Sequence, residues 1–266
     1  MTAKRAFFSI MLALTLPLPA LAHDTWLLAR PSAVEPGKTV TLELTSGMAF
    51  PAPETAIKPD RVARAAIRLA GETADLKDRR AAAKFLQLTT KPAKPGVVTL
   101  WVELAPKSID LTPDQVKEYL DEIGASEALQ RQWAEMPEPR RWRELYSKHA
   151  KAYVRVGQPA DDRSWAEPAG MALEIVPEKD PTALRPGDEL PVRVLRNGQP
   201  VAAFAVGLVG PGNAHGVLKT TDGEGRATFA IPRAGRWLLR ATDVRRSAKP
   251  EADWESDFAT VTFEVR

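Results

Sequence analysis

Cysteine is absent from the 266 residues. That excludes disulfide staples, a thiolate nucleophile and any cysteine-ligated metal, so the core must hold the fold unaided. Histidine is nearly absent as well: with three copies, imidazole chemistry is confined to His23, His149 and His215. Beyond the first twenty or so positions there is no long apolar run, and nothing approaches the roughly 20 residues a membrane-crossing helix requires. No G-x-S-x-G elbow, H-E-x-x-H helix or Walker loop occurs, and the glycines of GPGNAHG and DGEGR do not open helices, so phosphate cradling is not indicated.

The chain does begin MTAKRAFFSIMLALTLPLPALA, with Lys4 and Arg5 ahead of an apolar run and with Ala20 and Ala22 framing Leu21. Basic start, apolar middle and A-x-A end predict a signal peptide over residues 1–22, cut after Ala22, and hence a protein of the periplasm or the exterior that no longer spans a membrane. Without that leader 244 residues remain, enough for one large domain or two modest ones. Lys4 and Arg5 leave with it, so 35 basic residues face 34 acidic ones, and the near balance argues against a nucleic-acid partner.

GKTVTLELT (37–45) and VVTLWVEL (97–104) alternate or concentrate β-branched and aromatic residues as half-buried strands do. Thr112, Pro113 and Gln115 spell a helix start with a T-x-x-Q capping box, followed at helical spacing by Val116, Tyr119, Leu120 and Ile123 up to Gly124. Ser126 predicts a second helix carrying Leu129 and Trp133. A third is predicted from about Arg140, with Trp142, Leu145, Tyr146 and His149 on one face. The expectation is a helical insertion over about 111–150 inside an N-terminal β domain, residues 23–170. From 171 to 266, seven short alternating runs are separated by turn chemistry such as Asn197-Gly198 and Asp222-Gly223, the pattern of an immunoglobulin-like sandwich. The predicted class is therefore mainly β, with two immunoglobulin-like sandwich domains and a helical insertion in the first.

AHDTWLL, RELYSKHAKAYVRVG, LRPGDELPVRVLRNGQPV, TTDGEGRATFAIPRAGRWLLRA and ADWESDFATVTFEV, in that order, resemble a family of exported bacterial proteins known as a domain of unknown function. The family carries the label of a periplasmic component of cobalt or nickel uptake. His23, Asp24 and Trp26 stand at its characteristic mature start. The resemblance implies the β architecture and a metal-uptake context, with a membrane importer as partner; it supplies no catalytic set.

Cleavage after Ala22 would give His23 an α-amine beside its imidazole, two nitrogens able to close one chelate ring. Copper(II) and nickel(II) favour such nitrogen sets, and since both groups must be unprotonated, binding would weaken on mild acidification. A further imidazole would complete a histidine brace, a start similar to that of copper monooxygenases acting on polysaccharides and of periplasmic copper carriers. His215, in the Gly-rich turn GPGNAHG, is the preferred second ligand. His149 is the reserve, although it reads first as a packed or hydrogen-bonded histidine.

Glu251, Asp253, Glu255 and Asp257 alternate like the opening of an EF-hand loop, but Ser256 and Thr262 stand where its glycine and glutamate belong, so they read as a solvated acidic face. Trp26, Trp101 and Trp237 read as core, Trp133 and Trp142 as staples for the helices, and Trp165 and Trp254 as candidates for an exposed sugar platform. The expected function is non-enzymatic binding of a divalent nickel, cobalt or copper ion. Two alternatives are a metal-free envelope-protein or glycan module and copper-dependent oxidative chemistry.

Overall fold

The structure, a computed structural model, describes residues 23–158, 161–211 and 213–266, with the side chains of Ala214 and His215 outside that description. The predicted leader, residues 1–22, and its cleavage site also lie outside the described residues. Strands β1 (Asp24–Arg30), β2 (Ala33–Val34), β3 (Val40–Gly47) and β4 (Thr55–Ala56) come first. After a 3-10 turn at Pro59–Arg61 follow β5 (Val62–Leu69), β6 (Glu72–Asp75), β7 (Arg79–Ala81), β8 (Leu86–Thr90), β9 (Gly96–Leu104) and β10 (Lys107–Leu111). Helices α1 (Pro113–Glu122) and α2 (Glu127–Ala134) precede β11 (Trp142–Val156). Then come β12 (Leu173–Pro177), β13 (Glu189–Arg196), β14 (Gln199–Pro200), β15 (Ala205–Gly210), β16 (Asn213–Thr220), β17 (Arg226–Ala230), β18 (Gly235–Arg246) and β19 (Trp254–Val265).

The chain is mainly β and its layers are immunoglobulin-like sandwiches. A ten-stranded sheet runs β16-β15-β18-β19-β11-β9-β5-β6, with β10 and β2 attached along β11. One part of it packs on a five-stranded sheet, β1-β3-β8-β7 with β4, around Leu27, Leu42, Leu88, Val98, Leu100 and Val154. Another part packs on a four-stranded sheet of β12, β13, β14 and β17, around Ile175, Val192, Phe229, Leu239 and Val261. Strand alternation lets β11 serve both cores: Ala150, Ala152, Val154 and Val156 enter the first and Tyr153 the second. Each fully buried leucine or valine of these cores contributes about 1.5 to 3 kcal/mol. Asn197 and Gly198 both take positive φ, 49° and 77°, and close the β13–β14 hairpin as a type I′ turn requires.

The third helix does not form. Residues from Trp142 onward are a fifteen-residue strand, and the helical segment is Pro113–Ala134 rather than 111–150. Trp142, Leu145, Tyr146 and His149 do recur at helical spacing, but the same stretch also alternates in twos, and pairing decides between them. β11 bonds antiparallel to β10 at one end and to β9 at the other, and runs parallel to β19 from Glu144–Trp254 to Ala152–Thr262. These ladders satisfy backbone groups that a helix would have satisfied locally.

The helices that do form close over an aromatic cluster. Thr112 caps α1 in a full capping box with Gln115, and Ser126 caps α2. Trp142 stacks on Trp254 with ring centroids 4.4 Å apart, while Trp133 and Tyr119 meet Trp142 edge-on at 5.5 and 5.8 Å. Trp254 is thus fully buried and Trp165 nearly so, which corrects the sugar-platform expectation for both. The acidic face is corrected too. Asp253 is held by the Arg143 guanidinium through two bonds of 2.9 and 3.0 Å, Glu255 pairs with Lys249 and Arg245, and Asp257 is buried against Arg245 and His149. Alternation puts Asp257 on the inner face of β19, where only paired charge is tolerated.

Candidate functional site

A cavity of about 620 Å³ opens where the start of β1 meets the 3-10 turn, β10, β11 and α1. Ile57, Leu104, Ile109, Leu111 and Phe258 supply apolar wall, and Tyr119 and Tyr146 add aromatic surface. Lys58, Arg61, Lys107 and Lys148 bring four cationic side chains to the lining, against two carboxylates, Asp60 and Glu144. A volume in the range of small-molecule pockets, mostly apolar with a few convergent polar groups, is the usual form of a ligand site.

β11 positions the floor because alternate residues share a face: Glu144, Tyr146 and Lys148 all look into the cavity. Glu144 accepts hydrogen bonds from Tyr119 Oη at 3.3 Å, from Trp142 Nε1 at 2.5 Å and from Ser256 Oγ. Burial pushes its pKa up, and those three donors hold it partly back. Burial likewise raises the Tyr119 phenol well above its ordinary value, with Glu144 adding to the effect. The Lys148 ammonium lies 5.5 Å from the Tyr146 ring centre and 5.2 Å from that of Phe258, and donates to the His23 carbonyl. Its surroundings push its pKa down to about 8, chiefly through burial; Asp24 opposes the shift and Arg61 reinforces it.

His23 therefore lines the cavity, tied down through its carbonyl and through the residue that follows it. Lys148 holds its carbonyl, and its neighbour Asp24 makes a 3.0 Å ion pair with Arg240 of β18. The strand expected at TWLLA is β1, whose Thr25 and Leu27 carbonyls accept from Thr260 and Thr262 of β19. His149 follows Lys148 along β11 and so projects from the opposite face of the sheet. There it is buried, with Nε2 3.1 Å from Asp257 Oδ1 and with Nδ1 lacking a hydrogen-bond partner among the described residues. Burial would raise the Asp257 pKa, but the bonds from His149 and Arg245 keep it below the usual carboxylate range. His215 lies on β16, at the edge of the ten-stranded sheet and four strands from β11. The structure thus brings His23 to the cavity and does not bring His149 there. Among the described residues no three His, Asp or Glu side chains cluster as ligands to one ion.

Lys148, Arg61, Glu144 and Tyr146 are site residues that sequence reasoning missed. For Glu144, Tyr146 and Lys148 the signal was present: polar groups at alternate positions of a strand whose same face carries Trp142, Ala150 and Ala152 stand where core is due; Arg61, on the 3-10 turn, had no such signal.

Residues 20–244 match the family described as Domain of unknown function (DUF4198). The chain belongs to that family. No curated protein matches it. Among solved structures, it is similar to the D0-D1 domain of Intimin, at 17% identity over 89% of this chain and 96% of that one, TM-score 0.24. Others are Yersinia pseudotuberculosis adhesin InvE, 15% identical over 89% and 58% with TM-score 0.24, and murine CEACAM1b, 9% identical over 91% and 99% with TM-score 0.21. Likeness at that level carries no argument about ligands. Among the described residues, no helix is long and apolar enough to cross a membrane.

Proposed function

We propose that this family member is an exported binding protein that takes a divalent transition-metal ion, nickel, cobalt or copper, as cargo at His23 and passes it to a membrane importer. The observation behind this reading is the anchoring of His23 at the cavity. Cleavage after Ala22 would create the α-amine on a residue whose carbonyl Lys148 already holds and whose neighbour Asp24 is tied to Arg240, so the backbone that carries the chelate would need little further ordering. The surrounding field does not favour a cation, because lysine and arginine outnumber carboxylates in the lining two to one. Affinity must therefore come from the nitrogen chelate, which ranks copper(II) and nickel(II) above cobalt(II).

The test is titration of the mature chain starting at His23 with copper, nickel and cobalt, by calorimetry and visible spectroscopy, beside a chain extended by one N-terminal residue and beside His23→Ala. The expected result is at least a tenfold loss of affinity in both altered forms. Equal binding by all three chains would refute the terminal chelate.

A further inference from the structure

We infer that the cavity is the binding site of a small organic anion: a carboxylate head taken between Arg61 and Lys148, on an apolar body lying against Ile57, Leu104, Ile109 and Phe258. The inference is separate from the metal at His23: the two share only Lys148, which bonds the His23 carbonyl, and this one concerns the metal-free protein and is read at Arg61 as well.

Unbalanced charge carries the argument. Arg61 ends the 3-10 turn with its guanidinium over the Tyr146 ring, 5.7 Å from Cζ to the ring centre. No carboxylate of the described residues is within ion-pair distance of it, and its Nε is buried without a hydrogen-bond partner. A buried donor left unmade is costly, and in a native protein it asks for an explanation. Lys148 shares the same Tyr146 ring, and the only hydrogen bond it makes among the described residues is to a neutral carbonyl, that of His23. Of the carboxylates nearby, Glu144 is committed to Tyr119, Trp142 and Ser256, and Asp24 to Arg240, while Asp60 lines the cavity without coming within ion-pair distance of Arg61 or Lys148. Two cations therefore face one aromatic wall, and no carboxylate of the described residues is ion-paired to either.

The rest of the lining narrows the class. A guanidinium fork and an ammonium suit a planar carboxylate. A phosphate site would draw on backbone N–H groups at an α-helix start or glycine-rich turn, and among the described residues this lining holds no α-helix start and no glycine, only the single 3-10 turn that begins at Pro59. Apolar wall beyond the cations would stay wet under a bare inorganic ion, so a body of hydrocarbon or aromatic carbon is required to displace that water. Lys58 and Lys107 add to the same potential, which draws anions toward the cavity.

The experiment is calorimetric titration of the full chain, stripped of metal with a chelator, with octanoate and benzoate, against 1-octanol, benzyl alcohol and inorganic phosphate. At least one carboxylate is expected to bind tenfold or more tighter than its alcohol, and phosphate not to bind. Arg61→Gln and Lys148→Met should each cost tenfold or more, while Lys148→Arg should keep most of the affinity; circular dichroism confirms the fold of each. Arg61→Gln alters a residue on a surface turn, so it decides the matter if Lys148→Met does not fold. Carboxylate binding no tighter than alcohol binding overturns the inference, as does phosphate binding equally well, an Arg61→Gln variant with unchanged affinity, or no binding of either carboxylate at millimolar concentration.

Discussion

Replacing Lys151 by methionine removes a charge from the centre of the molecule with little change of volume. Lys151 and Glu174 are both almost wholly buried and form an ion pair, with the ammonium also bonding the Ile175 carbonyl at 3.3 Å. Glu174 further accepts from the Ala169 and Gly170 amides at 2.7 and 3.0 Å. Burial alone would raise its pKa, but the ammonium and the two amides outweigh that and hold it below the usual range. Lys151→Met leaves that carboxylate buried beside two amides and no cation, which costs about 3 to 5 kcal/mol. At about 2 to 4 °C of Tm per kcal/mol for a chain of this size, the transition should fall by roughly 6 to 20 °C.

The pH dependence should reverse as well. In the wild type a depressed Glu174 pKa is a stability contribution present above the unfolded value of about 4.3 and lost as pH falls below it. In Lys151→Met the same carboxyl is raised, so its penalty exists at neutral pH and is relieved on acidification as the group takes up a proton. Adding Glu174→Gln should recover most of the loss, short by about 1 to 3 kcal/mol for the amide left without an acceptor. Urea unfolding followed by tryptophan fluorescence between pH 4 and 8 measures all three proteins. A single variant within about 1 kcal/mol of wild type, or a double variant less stable than the single one, would refute the reasoning.

Two more local predictions follow from the packing. A Cβ on Gly210 would lie 2.1 Å from the Trp237 ring, so Gly210→Ala should cost about 1 to 3 kcal/mol in urea unfolding; Gly223→Ala, where nothing lies within 4 Å, should stay within about 0.5 kcal/mol. Equal effects at the two sites would contradict the packing described. Thr112→Ala removes the capping box of α1 and should cost about 0.5 to 2 kcal/mol, with amide exchange speeding up around Val116 and Tyr119 but not in β18; uniform acceleration would mean the cap acts on the whole fold.

Features encoded by neighbouring residues were legible in the sequence. The capping box at Thr112, the Ser126 cap, the Asn197-Gly198 hairpin and the seven alternating runs of the second half all appear where their local chemistry places them. β11 was misread because helical and strand spacing coincide over Trp142 to His149, and only partners from three distant segments choose between them. Asp257 was misread for the same reason, since its burial depends on which way β19 turns in the sheet. Of the cavity, only His23 was foreseen, from its place after the predicted leader. Arg61 and Lys148 are far apart in the chain and share a ring only once β11 is a strand.

The parallel pairing of β11 with β19 also has a cost in time. The two strands are separated by roughly a hundred residues of chain, including most of the second sandwich. At a synthesis rate of about 5 to 20 residues per second, β11 waits on the order of 5 to 20 s with the edge destined for β19 bare. An edge strand carrying Trp142, Tyr146 and Tyr153 is an invitation to the wrong neighbour for all of that interval. Nascent chains stalled before β19 should be the aggregation-prone species, and a chaperone that shields β11 would be guarding the middle of the protein until its far end arrives.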